Sequence, residues 1–146
     1  MRVLLDTCVL VDLRKPGGHP AVRAAVALIA DDDLYISGLT LGEVARGVSS
    51  LPDGRKQRNL RGWLTGLQDR FADRILEVDH ETAELWGEIV TRTQRTGHLL
   101  HVVDGLLAAT ALCRGLHIMT RTTPSLAATG VLIIDPYADA ATTQNL

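Results

Sequence analysis

The sequence predicts a three-layer α/β/α sandwich with a short, mainly parallel central sheet. Short apolar runs alternate with longer segments in which apolar residues recur at helical spacing. Continuous apolar runs are typical of parallel strands that are covered on both faces. The chain has 146 residues, of which 46% are hydrophobic and only 3% aromatic. We therefore expect a single domain over residues 1–137 with a core of aliphatic side chains, followed by a flexible tail over 138–146.

The first half of the chain alternates strand and helix in this way. Val22, Val26 and Ile29 show the helical spacing, and the run Lys15-Pro16-Gly17-Gly18 stops the helix before them. The three acids of 31–33 break the second helix and are best explained as a solvated turn. The predicted elements are a strand at 2–6, a helix over 7–13, a helix from 20, a strand at 34–37, a helix capped by Thr40, and a helix over 55–72.

The second half continues the pattern. Asp79 or Thr82 opens a helix that ends before Gly97, and its apolar stripe includes Trp86. Trp86 and Trp63 both lie on such stripes, which favours core or dimer packing over base stacking. The other predicted elements are a strand at 75–78, a helix over 102–114, and strands at 116–120 and 131–134.

Bulk properties exclude several classes of protein. The formal net charge is −2, so the chain is not a generally basic nucleic-acid binder. No apolar run approaches the ~20 residues of a membrane span, and no charged leader precedes the first strand. Cys8 and Cys113 form no CxxC pair or disulfide framework, which indicates buried thiols in a reducing compartment. We therefore expect a cytoplasmic protein with no membrane contact.

Three acids stand at the ends of predicted strands or the starts of predicted helices. Asp6 ends the first apolar run, Glu43 lies one turn into a helix that follows a strand, and Asp104 lies near the start of an almost wholly apolar helix. In open α/β sheets the carboxyl edge is where ligands bind, so the three side chains can converge there. A structural explanation also exists for each acid. Asp6 suits a helix cap, Glu43 a capping box with Thr40, and Asp104 a favourable helix dipole.

Converging carboxylates repel one another, and a divalent cation relieves that repulsion. A site made only of oxygen ligands favours Mg²⁺ or Mn²⁺ over zinc. Such a site suits attack on a phosphodiester, because metal ions help to generate hydroxide and neutralise charge on phosphate oxygens. Zinc bound by His98, His101 and Asp104 is disfavoured, since no fourth ligand stands nearby.

Three segments together resemble the PIN domain, and within it the VapC-type toxins of toxin–antitoxin pairs. These segments are Leu4-Leu5-Asp6-Thr7-Cys8-Val9, Ser37-Gly-Leu-Thr-Leu-Gly-Glu43-Val-Ala-Arg-Gly47, and Val103-Asp104-Gly-Leu-Leu-Ala-Ala109. The resemblance runs from residue 2 to about Pro136. It implies a Mg²⁺- or Mn²⁺-dependent endoribonuclease whose catalytic and metal-binding residues are Asp6, Glu43 and Asp104. It also implies a minor role for Thr7, a homodimer, a small antitoxin partner, and promoter DNA bound only through the antitoxin.

The chain departs from the family in the segment after residue 119. The family pattern is roughly Thr-Arg-Asn-x-x-Asp-Phe, where this chain has Thr120-Arg-Thr122-Thr-Pro-Ser125-Leu. Thr122 and Ser125 replace an asparagine and an acid, and either is a candidate minor fourth contributor to the site. The lost charge should weaken a second metal more than the first. The alternative function is therefore an inactive PIN-fold module that binds an antitoxin or RNA without cutting it.

The segment from position 46 to position 74 has a local surplus of basic residues, with seven basic and three acidic side chains. This surplus could guide an RNA backbone toward the acids, but a solvated helix face explains it as well. Arg46, one helical turn after Glu43, is the better candidate for an RNA-phosphate contact. The seven residues are Arg46, Arg55, Lys56, Arg58, Arg61, Arg70 and Arg74.

Overall fold

A computed structural model describes residues 1–138, and the predicted tail over 138–146 lies almost entirely outside the described residues. The described residues form an α/β fold with five strands, seven α-helices and a 3₁₀ turn at Asp31–Asp33. The strands are β1 (Val3–Leu5), β2 (Leu34–Ser37), β3 (Ile75–Leu76), β4 (His117–Met119) and β5 (Ile133–Ile134). The helices are α1 (Thr7–Arg14), α2 (Pro20–Ala27), α3 (Gly38–Ser50), α4 (Arg55–Arg70), α5 (His80–Arg95), α6 (Val102–Arg114) and α7 (Pro124–Ala127).

The sheet is parallel throughout, in the order β3-β2-β1-β4-β5. The first strand of the chain is therefore its central strand. Val3 pairs with Leu34 on one side and with His117 on the other. Because every strand runs in the same direction, all five carboxyl ends lie along one edge, and the residue after β1 lies at the middle of that edge.

Alternating side chains of β1 enter two separate cores, which confirms the three-layer architecture. Val3 and Leu5 belong to one hydrophobic cluster, and Leu4 belongs to the other. All three side chains are fully buried, as expected for a strand that is covered on both faces. The first cluster includes side chains of α1, α2, α3 and α4, and the second includes side chains of α6 and α7.

Most predicted elements are confirmed, and the differences are local. Asp79 opens α5, because its carboxylate accepts a hydrogen bond from the Thr82 backbone N–H (2.9 Å). The last strand is shorter than the predicted 131–134, since its ladder with β4 covers only two residues. Cys113 is exposed rather than buried, because α6 turns other positions toward the core. No helix in the described part of the chain is both long enough and apolar enough to cross a membrane.

The predicted cap of α3 is wrong. The cap is Ser37, whose hydroxyl accepts a hydrogen bond from the Leu39 backbone N–H (3.0 Å), and the helix begins at Gly38. Thr40 lies inside the first turn and is fully buried. Glu43 is therefore six residues beyond the cap and cannot form a capping box with Thr40. That structural explanation for Glu43 is removed.

The turn after α1 has room for a side chain at Gly17 but not at the adjacent Gly18. A Cβ atom at Gly18 would overlap the backbone carbonyl oxygen of Asp12, whereas one at Gly17 would meet nothing within 4 Å. We expect Gly18→Ala to lower the free energy of unfolding by about 3 kcal/mol or more, because backbone must move to admit the methyl group. Gly17→Ala, the matched control, should change it little. Urea denaturation of both variants measures the difference, and equal stabilities would contradict the expectation.

Candidate active site

Asp6 directly follows the central strand and is held by donors on both carboxylate oxygens. Its Oδ1 accepts a hydrogen bond from the Thr7 backbone N–H (2.7 Å), so the residue caps α1. Its Oδ2 accepts a hydrogen bond from the Thr120 hydroxyl (2.6 Å). The backbone N–H of Asp6 bonds to the Met119 carbonyl (3.1 Å), which continues the β1–β4 ladder to the edge. The helix cap and the site are thus two roles of one side chain.

Thr120 is a site residue that the sequence pattern did not single out. It follows β4, the neighbour of β1, and only 3% of its surface is exposed. A polar residue directly after a buried strand was the available signal, the same signal that drew attention to Asp6. The sequence could not show that β4 lies beside β1, and this adjacency is what brings Thr120 to the Asp6 carboxylate.

Glu43 reaches the same edge from the second turn of α3. Its Oε1 accepts a hydrogen bond from the Thr7 hydroxyl (2.9 Å). Thr7 therefore donates twice, through its backbone to Asp6 and through its side chain to Glu43. Asp6 and Glu43 are therefore linked through a single residue, Thr7.

Asp104 lies in the first turn of α6 and is partly buried. Burial raises the pKa of its carboxyl group above the ordinary value of 3.8, and the negative charge of Asp6 raises that pKa further. His101 opposes both effects more weakly. Within residues 1–138 no hydrogen-bond donor reaches the Asp104 carboxylate. Asp6 and Asp104 are thus close enough to repel each other, with little compensation from the protein.

The donor chemistry fits a hard divalent cation held between Asp6 and Asp104. Both side chains offer oxygen ligands, and their mutual repulsion would be relieved by a positive charge. In the described residues no three acids, histidines or cysteines are gathered closely enough to hold one ion together. Glu43 in particular is bonded to Thr7. The arrangement is therefore a two-carboxylate site with a third acid beside it. The same observation leaves the zinc hypothesis at His98 and His101 without support.

The predicted minor residues lie at the margin of this site. The Thr122 backbone N–H donates to Asp135 Oδ2 (2.8 Å), and Ser125 lies in the short helix α7. In the described part of the chain neither hydroxyl makes a hydrogen bond to the three acids. Ser125 thus offers no replacement for the missing charge.

Asp135 follows β5 at the same sheet edge, and the sequence pattern did not point to it. Burial opposes its ionisation, but donors from Thr122, Tyr137 and Ala138 lower the pKa of its carboxyl group overall. Both carboxylate oxygens accept backbone N–H groups. Asp135 is therefore an ionised carboxylate whose oxygens hold the turn after β5 and the Thr122 backbone.

The basic surplus divides into structural and unpartnered residues. Arg70 pairs with Asp31 (3.1 Å), and Arg74 donates to backbone carbonyls, including that of Leu34 (2.9 Å). These two arginines stabilise the junction between β2 and the end of α4, a structural role that neither the RNA-guiding nor the solvated-face explanation predicts. Arg46 is exposed on α3, and its side chain makes no ion pair or hydrogen bond within the described residues.

A model of the PIN domain family matches residues 3–122, which include all three acids and both threonines at Asp6. The chain belongs to the PIN domain family. This PIN domain is 32% identical to the toxin FitB of Neisseria gonorrhoeae, over 94% of this chain and 99% of FitB. It is 29% identical to the VapC ribonuclease Y4jK of Sinorhizobium fredii, over 94% of this chain and 99% of that protein.

A solved structure of FitAB bound to an IR36 DNA fragment superimposes on this PIN domain with a TM-score of 0.85. The two chains are 30% identical, and the match covers 92% of this chain and 94% of the other. The predicted α/β/α sandwich and the family resemblance are therefore confirmed. Ser125 lies beyond the stretch that the family model matches.

The Asp6–Asp104 repulsion makes a prediction about stability. Because the pKa of Asp104 is raised in the folded chain, this carboxyl group favours folding below pH 3.8. That contribution is lost as pH rises through the folded pKa, and it stays lost at neutral pH. We expect metal-free Asp104→Asn to melt a few degrees higher than the wild type at pH 7, with the difference shrinking at acidic pH.

Added Mg²⁺ should reverse the order, because ligand binding stabilises only a protein that keeps its carboxylates. Thermal unfolding with and without Mg²⁺ measures both effects. Asp53→Asn, at an exposed turn, is the control for removal of one negative charge. A Mg²⁺-induced rise in Tm that is as large in Asp104→Asn as in the wild type would contradict the assignment.

Proposed function

We propose that this PIN domain is the toxin of a toxin–antitoxin pair and acts as a Mg²⁺- or Mn²⁺-dependent endoribonuclease. The observation that carries the proposal is the pair of repelling carboxylates, Asp6 and Asp104, at the carboxyl edge of the sheet, with Glu43 beside them. Similarity to the VapC ribonuclease Y4jK and the toxin FitB supports the reaction and the toxin role.

In the proposed mechanism each residue has a distinct task. Asp6 and Asp104 would hold the cation, which when bound neutralises charge on the phosphate oxygens and acidifies water. Thr120 and the Thr7 backbone keep the Asp6 carboxylate in one orientation. The Thr7 hydroxyl holds one oxygen of Glu43, which leaves the other oxygen to accept a proton from the attacking water.

We propose that the partners follow the same pattern. The solved FitAB neighbour is bound to an IR36 DNA fragment, which supports contact with DNA. The resemblance to VapC-type toxins implies that a small antitoxin is the partner and that promoter DNA is bound through it. We also propose a homodimer and, because the substrate is RNA, a cytoplasmic site of action. These partner assignments rest on similarity and do not depend on the chemistry of the three acids.

Cleavage of RNA tests the roles of the acids and of their support. We expect Asp6→Asn and Asp104→Asn to lower the cleavage rate by at least about a hundredfold, because each removes a cation ligand. Thr120→Val should lower it by about tenfold, since Asp6 Oδ2 loses its hydroxyl donor and keeps only the long contact with the Cys8 Sγ (4.0 Å). Thr120→Ser keeps the hydroxyl and is the matched control. Wild-type rates in both asparagine variants, with circular dichroism showing an intact fold, would refute the mechanism.

The alternative is a PIN-fold module that binds without cutting. It is favoured by Ser125, which carries no charge where the family pattern has an acid. Ser125→Asp separates the two functions. If the native chain cuts RNA, the substitution should change the rate only modestly. If cleavage arises only in Ser125→Asp, the native chain is the inactive module and the ribonuclease proposal is wrong.

A further inference from the structure

Arg121 directly follows the threonine that holds Asp6, and its side chain has a fixed position. The residue is exposed, and its guanidinium carbon lies 4.1 Å from the centre of the Tyr137 ring. A cation over an aromatic face is attracted by the negative charge of that face. An arginine stacked in this way loses little further freedom when its N–H groups bind a ligand.

Tyr137 is itself held against α1, the helix that Asp6 caps. Its hydroxyl donates to Asp12 Oδ2 on α1, and its backbone N–H donates to Asp135 Oδ1 (2.9 Å). The His19 and Tyr137 rings pack in a T-shaped arrangement, with 5.4 Å between centroids. The tyrosine is therefore a rigid platform, attached both to α1 and to the turn after β5.

The backbone on both sides of Arg121 is also held. Thr120 donates through its hydroxyl to Asp6, and its backbone N–H bonds to the Ile134 carbonyl (3.1 Å). The Thr122 backbone N–H bonds to Asp135. Arg121 thus leaves the sheet edge one residue from the Asp6 contact, with both its backbone and its guanidinium in place.

The positive charge of Arg121 is not paired with any acid in the described structure. Within residues 1–138 the ion pairs are Arg70–Asp31, Arg74–Asp73 and Arg114–Asp79, and no hydrogen bond involves the Arg121 guanidinium. The Tyr137 ring lies against the guanidinium, whose N–H groups keep their hydrogen-bonding capacity within residues 1–138. The guanidinium matches a phosphate, which accepts two parallel hydrogen bonds.

We propose that Arg121 binds an RNA phosphate adjacent to the one that is cut. The inference rests on the proposed ribonuclease function and adds a substrate-binding residue to it. Three acids at the sheet edge repel a polyanion, so a fixed cation beside them offsets that repulsion for the RNA backbone. Unlike Arg46, Arg121 has a fixed position. The Tyr137 ring holds its guanidinium, and hydrogen bonds to Asp6 and Asp135 hold the residues on either side of it.

RNA binding without cleavage tests the proposal. The full chain carrying Asp104→Asn is titrated into a short fluorescein-labelled oligouridylate, and anisotropy is measured over a range of salt concentrations. Adding Arg121→Ala should weaken binding about fivefold or more, and should reduce the slope of log K against log salt by about 0.7, the value for one phosphate on a single strand. Arg121→Lys should keep the slope and bind with intermediate affinity, since it retains the charge but loses the planar fork.

Arg2→Ala is the matched control, because it removes an equal charge at the opposite edge of the sheet. Arg2 is exposed next to the amino end of β1, and among the described residues its side chain donates a hydrogen bond only to the Arg114 carbonyl. Equal affinity and slope in the Arg121→Ala and Arg2→Ala proteins would overturn the proposal. The proposal would also be overturned if the Arg121→Ala protein bound RNA normally but lost affinity for polyglutamate. That result would mean that the guanidinium binds carboxylates of a partner protein. Failure of the ribonuclease proposal is seen separately, as RNA left uncut by the wild-type chain.

Discussion

Electrostatic repulsion between the carboxylates of Asp6 and Asp104, which meet at the partly buried carboxyl edge of the sheet, is the constraint on which the site depends. Burial and the charge of Asp6 both disfavour the ionised form of Asp104. Such a pair is costly to maintain unless folding elsewhere supplies the free energy. All three side chains of the central strand β1 are fully buried on two faces of the sheet, and their burial contributes hydrophobic free energy to the fold as a whole.

Two threonines, rather than cations, orient Asp6 and Glu43, through one backbone N–H and two hydroxyl groups. Thr7 links Asp6 to Glu43, and Thr120 secures the other oxygen of Asp6. A lysine or arginine in these positions would neutralise the carboxylates and compete with an external cation. Threonine hydroxyls orient the carboxylates and leave their charge available. Arg121, at the same edge, lies over the Tyr137 ring and makes no ion pair with an acid among the described residues.

The sequence predicted the layers and the three acids because both depend on local pattern. Apolar runs mark buried strands, and an acid at the end of a run marks the sheet edge. It did not predict the partners of the acids, since those depend on which strands are neighbours. Thr120 meets Asp6 only because β4 pairs with β1, and Asp135 meets Thr122 only because β5 pairs with β4.

The cap of α3 illustrates the other kind of error. Ser37 and Thr40 are both good caps by composition, and the capping-box spacing between Thr40 and Glu43 favoured Thr40. The chain uses Ser37 because the strand ends there, and Thr40 is buried instead. The position of the last paired strand residue decided between two locally equivalent caps. The strand predicted at 34–37 already ended at Ser37, so the strand boundary was a better guide to the cap than the capping-box spacing.

The pairing of β1 with β4 also governs when the site can exist during synthesis. Asp6 leaves the ribosome 114 residues before the hydroxyl that secures it. Central strand β1 therefore waits for one of its two neighbours until β4 has been made. Contacts of such large sequence separation form late and slowly. A nascent or truncated chain that lacks β4 has the first acid but not its complete support. A chain with the proposed toxin activity, which would harm its own cell, thus stays incomplete until β4 has left the ribosome.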